Sequence, residues 1–218
     1  MSDGTEEPTE WLVDAADPLL TPERLARVAD PARPDRLAWN AFRILGLWNT
    51  DAWVPSLVEV ACGDESPLVE LDWADATIVP WTSDVLGPDM CDMVIAGPDG
   101  YVVVACTVDP YPQEAPLTAA AVAAIDGSIE GGNREAGLIV VTPPGTPPLD
   151  ERLELATDIE VHDGRLIFDL LEGRMGSVSW TRLGRLALDL AEEGGEEPME
   201  QVHRLITELQ ARYPGVDM

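Results

Sequence analysis

The stretch Met93-Val94-Ile95-Ala96, Gly97-Pro98-Asp99-Gly100, Tyr101-Val102-Val103-Val104-Ala105-Cys106 decides the fold. Two apolar runs rich in β-branched residues flank a turn of glycine, proline and aspartate, which is the pattern of a β-hairpin. The second run is apolar on both faces, so its strand belongs in the interior of a sheet covered on both sides. C-terminal to it, the alanine-rich segment Leu117 to Glu130 predicts a helix ended by Gly131-Gly132. A strand Gly137 to Thr142, a helix Leu149 to Ala156, a strand Ile159 to His162, the turn Asp163-Gly164 and a further run Arg165 to Phe168 follow. Strand and helix in alternation imply an α/β fold: a mixed sheet flanked by helices, with parallel crossovers.

N-terminal to the hairpin the period is helical. Thr21 with Pro22 predicts a capped helix to about Asp30. Asp35 is read as the cap of a second helix, in which Leu37, Ala41, Ile44, Leu45 and Trp48 share a face. Thr50 is read as the cap of a third, with Trp53, Leu57, Val58 and Ala61 inward and Pro55 in the first turn. Leu68 to Trp73 and Ala76 to Trp81 read as short strands or extended segments. At the other end, Ser179 caps a helix carrying Leu183, Leu186, Ala187 and Leu190. A last helix runs from about Pro198 to Tyr213 with Val202, Leu205, Ile206 and Leu209 aligned. The expected organisation is an acidic tail over 1–17, a helical region over 18–66, an α/β domain over 67–172 and a helical pair over 173–218.

Composition narrows the function. Of 218 residues 41 are acidic and 13 basic, giving a formal net charge of −28; all 13 are arginine. Ile44 to Asn133 contains no basic Lys or Arg side chain against fifteen carboxylates. Duplex binding draws on cationic side chains that displace counterions from phosphates, so this stretch repels a polyanion. Host adaptation to salt, or plain solubility, accounts for such acidity as well as any function does. The longest apolar run is far short of the roughly 20 residues a membrane-crossing helix needs. Cys62, Cys91 and Cys106 have neither even number nor zinc spacing, so a reduced, cytoplasmic setting with buried thiols is expected.

The hairpin and its sequel resemble the catalytic domain of Mrr-type restriction endonucleases, a branch of the PD-(D/E)xK nuclease superfamily. The resemblance covers roughly Asp89 to Leu171. Met90-Cys91-Asp92-Met93-Val94-Ile95 is similar to the family's first hairpin strand, which would put Asp92 at the metal-ligand position. Val103-Val104-Ala105-Cys106-Thr107 matches the second, where Ala105 stands for the family's Gln or Glu and Thr107 for its lysine. Leu138 to Thr142 and Glu160-Val161-His162-Asp163-Gly164 resemble the later strand and turn. Phosphodiester hydrolysis on this scaffold uses Mg²⁺ held by oxygen ligands and a cation beside the attacking water. Ala105 binds no metal and Thr107 carries no charge. The resemblance therefore implies a catalytically inactive, nuclease-like protein without a cofactor, acting through a protein partner, in phage defence or DNA processing.

Two alternatives stand beside it. An acidic DNA mimic would use its carboxylates in place of phosphates to occupy a nucleic-acid-binding protein. A divergent Mg²⁺ nuclease would assemble Asp92 with Asp84, Asp89 or Glu70. The remaining candidates carry less. His162 and His203 are far apart in sequence, Cys106 lies on a strand expected to be buried, and Ser177 and Ser179 precede a helix. Trp48 and Trp53 flank a helix junction, where they serve either the core or a partner.

Overall fold

A computed structural model describes residues 19–82, 86, 90–110, 114–132, 134–147, 149, 160–161, 165–194 and 196–216. The main sheet has five strands among these: β1 (Thr77–Pro80), β2 (Met90–Ala96), β3 (Gly100–Thr107), β4 (Glu135–Thr142) and β7 (Met175–Ser179), in the order β1-β2-β3-β4-β7. β1 and β2 are antiparallel, as are β2 and β3, whereas β3, β4 and β7 run parallel. β3 thus holds the centre, as its two apolar faces require. β5 (Glu160–Val161) and β6 (Arg165–Leu166) form a separate two-stranded ribbon. The helices among the described residues are α1 (Pro22–Ala29), α2 (Pro34–Leu45), α3 (Val54–Cys62), α4 (Glu114–Glu130), α5 (Ile167–Leu171), α6 (Trp180–Gly194) and α7 (Glu196–Arg212).

Side-chain alternation on the strands splits the core into two. Cys91, Met93, Ile95, Val102, Val104 and Cys106 face α2, α3, α6 and α7; Met90, Val94, Val103 and Ala105 face α4 and α5. The expected N-terminal helices and C-terminal pair therefore make one layer, on the same side of the sheet. Two glycines permit close approach at the centre. A Cβ on Gly100 would run into the indole of Trp73, which closes the hairpin end of the sheet, and a Cβ on Gly127 in α4 would run into the ring of Tyr101.

Several expectations are corrected. Leu68 to Trp73 forms no strand: Leu68 to Glu70 lies in a turn, Leu71 in a bend and Asp72-Trp73 in irregular chain, with Trp73 Nε1 donating to the Leu68 carbonyl at 3.0 Å; the apparent alternation reflects two buried side chains, Leu68 and Trp73, on a folded loop. Asp35 does not cap α2: Arg33 occupies that place and Asp35 lies buried inside the first turn. Thr50 opens a short 3₁₀ turn, Thr50–Ala52, and its hydroxyl donates to the Trp73 carbonyl, while Trp53 precedes α3. Met175–Ser179, expected only to lead into a helix, is an edge strand of the main sheet. Ile167 and Phe168 begin a helix rather than continuing a strand. Ser179 does cap α6, accepting from the Arg182 amide at 3.2 Å, and Thr21 caps α1. The expected helix Leu149 to Ala156 lies outside the described residues apart from Leu149, which is buried.

Candidate functional site

Asp92, Ala105 and Thr107 converge because a hairpin leaves them no alternative. Asp92 is the cross-strand partner of Ala105, and Thr107 lies two residues farther along β3, opposite Met90. The period of two places all three on the α4 side of the sheet. All three are also sealed, at 1%, 0% and 0% exposure. Ala105 belongs to an apolar cluster with Leu86, Met90, Leu117 and Ala121, and Thr107 turns its hydroxyl to its own loop, accepting from the Asp109 amide at 2.9 Å. The Thr107 carbonyl accepts from Trp180 Nε1 at 2.7 Å, which anchors the start of α6 to the end of β3.

The Asp92 carboxylate is engaged by the chain that leaves β1. Its Oδ2 accepts from the Thr82 amide at 3.0 Å and from the Thr82 hydroxyl, and its backbone carbonyl accepts from the Trp81 amide at 2.8 Å. Trp81 reaches this place through a left-handed backbone, φ 54°, sparsely populated for a residue with a large side chain. Surrounding contacts hold it there. Its indole stacks on Trp39 with centroids 5.2 Å apart and planes 15° from parallel, and Nε1 donates to Asp35 Oδ1 at 3.0 Å. The Arg24 guanidinium lies 5.3 Å from the ring centroid and donates to the Trp81 carbonyl at 3.2 Å. Asp35 also binds Arg27 at 2.6 Å and Arg33 at 3.1 Å, so this buried carboxylate joins α1, α2 and the end of β1.

Trp81, Thr82 and Asp35 were not legible as members of this site. Thr82 follows Pro80-Trp81 with no motif around it, and Asp35 next to Pro34 reads as a helix cap; the arginines at 27 and 33 were the only hint of a buried ion pair. Elsewhere, Glu70 and His203 are exposed, while Asp84, Asp89 and His162 lie outside the described residues. Cys106 is buried opposite Cys91, and burial pushes the Cys91 thiol well up, with its contact to Cys106 acting in the same direction. Burial also raises the Tyr101 hydroxyl, helped by the nearby Asp92 and Glu130 carboxylates. Trp53 is a core residue and Trp48 only partly covered. Among the described residues no group of three or more His, Cys, Asp or Glu side chains is disposed to hold a metal, and no helix is long and apolar enough to cross a membrane.

Comparison with protein-family models, curated proteins and solved structures gives no match, so the resemblance to Mrr-type nucleases stands on the quoted residues alone.

Proposed function

We propose that this chain is a catalytically inactive, nuclease-like protein that acts by binding a protein partner in a phage-defence or DNA-processing setting. One observation carries the reading: Asp92 is buried, its Oδ2 accepts from Thr82, and it stands opposite Ala105, a member of an apolar cluster. A Mg²⁺ ion with its waters needs several oxygen ligands and an opening to solvent. The position opposite Asp92 offers a methyl group, and Thr107 adds no charge where the family has lysine. The charge pattern favours a protein over DNA, because β1, β2, β3 and α4 all fall in the stretch without arginine or lysine.

Calorimetric titration with Mn²⁺ tests this reading. The expectation is no saturable heat beyond the weak, salt-sensitive binding that any surface of this charge gives. Stoichiometric binding lost in Asp92→Asn would instead place a metal at this site and favour the divergent nuclease.

A further inference from the structure

The sequence sets Trp48 and Trp53 at one helix junction, and the structure separates them. Trp53 is fully buried, whereas Trp48 is partly exposed and lines a cavity of about 420 Å³ between the end of α2 and residues 74–78. Asn49, Asp51, Asp75 and Thr77 line it as well. Asp51 and Asp75 are both exposed, and neither forms an ion pair with another described residue. The nearest cation in sequence, Arg43 in the last turn of α2, lies over the Trp39 ring, and from Ile44 to Asn133 there is no arginine, nor any lysine in the chain. Leu47, half exposed, adds an apolar patch next to Trp48 in the chain.

A cavity lined by a tryptophan and by two aspartates that form no ion pair with a described residue is a complement to guanidinium. An arginine lies flat on an aromatic face and donates from its edge to carboxylate oxygens, whereas an ammonium is a more strongly hydrated point charge. The cavity falls within the size range of binding pockets, with room for one such side chain and part of its backbone. We infer that this cavity is a docking site for an arginine-bearing segment of a partner protein. The inference names the contact surface for the function proposed above and rests on that reading for its biological meaning, although the binding itself is measurable without it.

The probe is a blocked peptide, acetyl-Gly-Arg-Ala-Arg-Gly-amide, titrated into the full chain at physiological salt while the Trp48 indole N–H is followed by NMR, assigned with Trp48→Phe. The same peptide with citrulline in place of arginine keeps the shape and removes the charge. The expected result is a saturable shift with the arginine peptide and none with the citrulline peptide. Asp51→Asn with Asp75→Asn should weaken binding at least roughly tenfold through loss of charge-assisted contacts. Asparagine tolerates the left-handed backbone of Asp75, φ 61°, so the variant is expected to fold. Glu130→Gln with Asp169→Asn removes the same charge from helices on the opposite side of the sheet and should leave affinity unchanged. Equal weakening by the two double variants, equal binding of the citrulline peptide, or no saturable shift would each overturn the inference. Binding at the cavity together with Asp92-dependent nuclease activity would leave the inference standing and remove the inactive-nuclease reading.

Discussion

Asp92 and Ala105 sit directly opposite each other on β2 and β3, and the carboxylate of Asp92 turns to Thr82. The acid is therefore part of how the chain leaving β1 is fastened to the sheet. Replacing it tests that role. Asp92→Ala would remove a buried charged acceptor of two part-buried hydrogen bonds from the exposed Thr82 and lower stability by about 1–3 kcal/mol, while Asp92→Asn, which keeps an acceptor oxygen, should lose less. Urea denaturation of both variants measures the difference; equal losses would contradict a hydrogen-bonding role.

Asp35 should be the more costly carboxylate to remove. It is fully buried and serves Arg27, Arg33 and the Trp81 indole at once. Asp35→Ala leaves two guanidinium groups and an N–H with no acceptor there, so a loss of about 3–5 kcal/mol is expected in chemical denaturation. The Trp39–Trp81 stack should loosen with it, seen as reduced near-ultraviolet circular dichroism before global unfolding.

How much of this was legible depended on how local its cause was. The hairpin follows from Gly97-Pro98-Asp99-Gly100 between two β-branched runs, and α4 from an alanine run that stops at two glycines. Given the hairpin, a period of two put Asp92, Ala105 and Thr107 on one face without coordinates. β7 escaped notice because Met175-Gly176-Ser177-Val178-Ser179 is short and polar, and only its pairing with β4 makes it a strand. Long-range partners were hidden for the same reason. Asp35 finds Trp81 across 46 positions, and Trp180 finds Thr107 across 73.

Gly127 offers a case in which helix propensity points the wrong way. A glycine inside α4 costs roughly 1 kcal/mol relative to alanine in an open helix. Here the Tyr101 ring occupies the space a Cβ would take. Gly127→Ala should therefore destabilise, by about 1–3 kcal/mol of overpacking. In a Tyr101→Leu background the same substitution should become neutral or favourable, which a double-mutant cycle reads directly.

The thiols and phenols set the alkaline limit. Burial pushes the Cys62 thiol from 9.0 up to about 12, and it raises Cys91, Tyr101 and Tyr213 as well. In each case the folded chain keeps a proton that the unfolded chain releases, so the contribution of these groups is fully present below about pH 8 and is lost as pH rises from about 9 towards 12. Denaturation midpoints across that range should decline, less steeply in Cys62→Ala. At pH 8 native Cys62 should react with a thiol reagent at least roughly tenfold more slowly than a free cysteine, because little thiolate is present and the greater nucleophilicity of that thiolate offsets only part of the loss.

The central claim is most directly tested by incubating the purified chain with duplex and single-stranded DNA in Mg²⁺ or Mn²⁺ and resolving the products. With the Asp92 carboxylate turned to Thr82, and with a methyl group at Ala105 and an uncharged hydroxyl at Thr107 where the resembling family has its second ligand and lysine, no product above the buffer control is expected, and no difference between the parent and Asp92→Asn. Metal-dependent cleavage by the parent that disappears in a folded Asp92→Asn variant would contradict it.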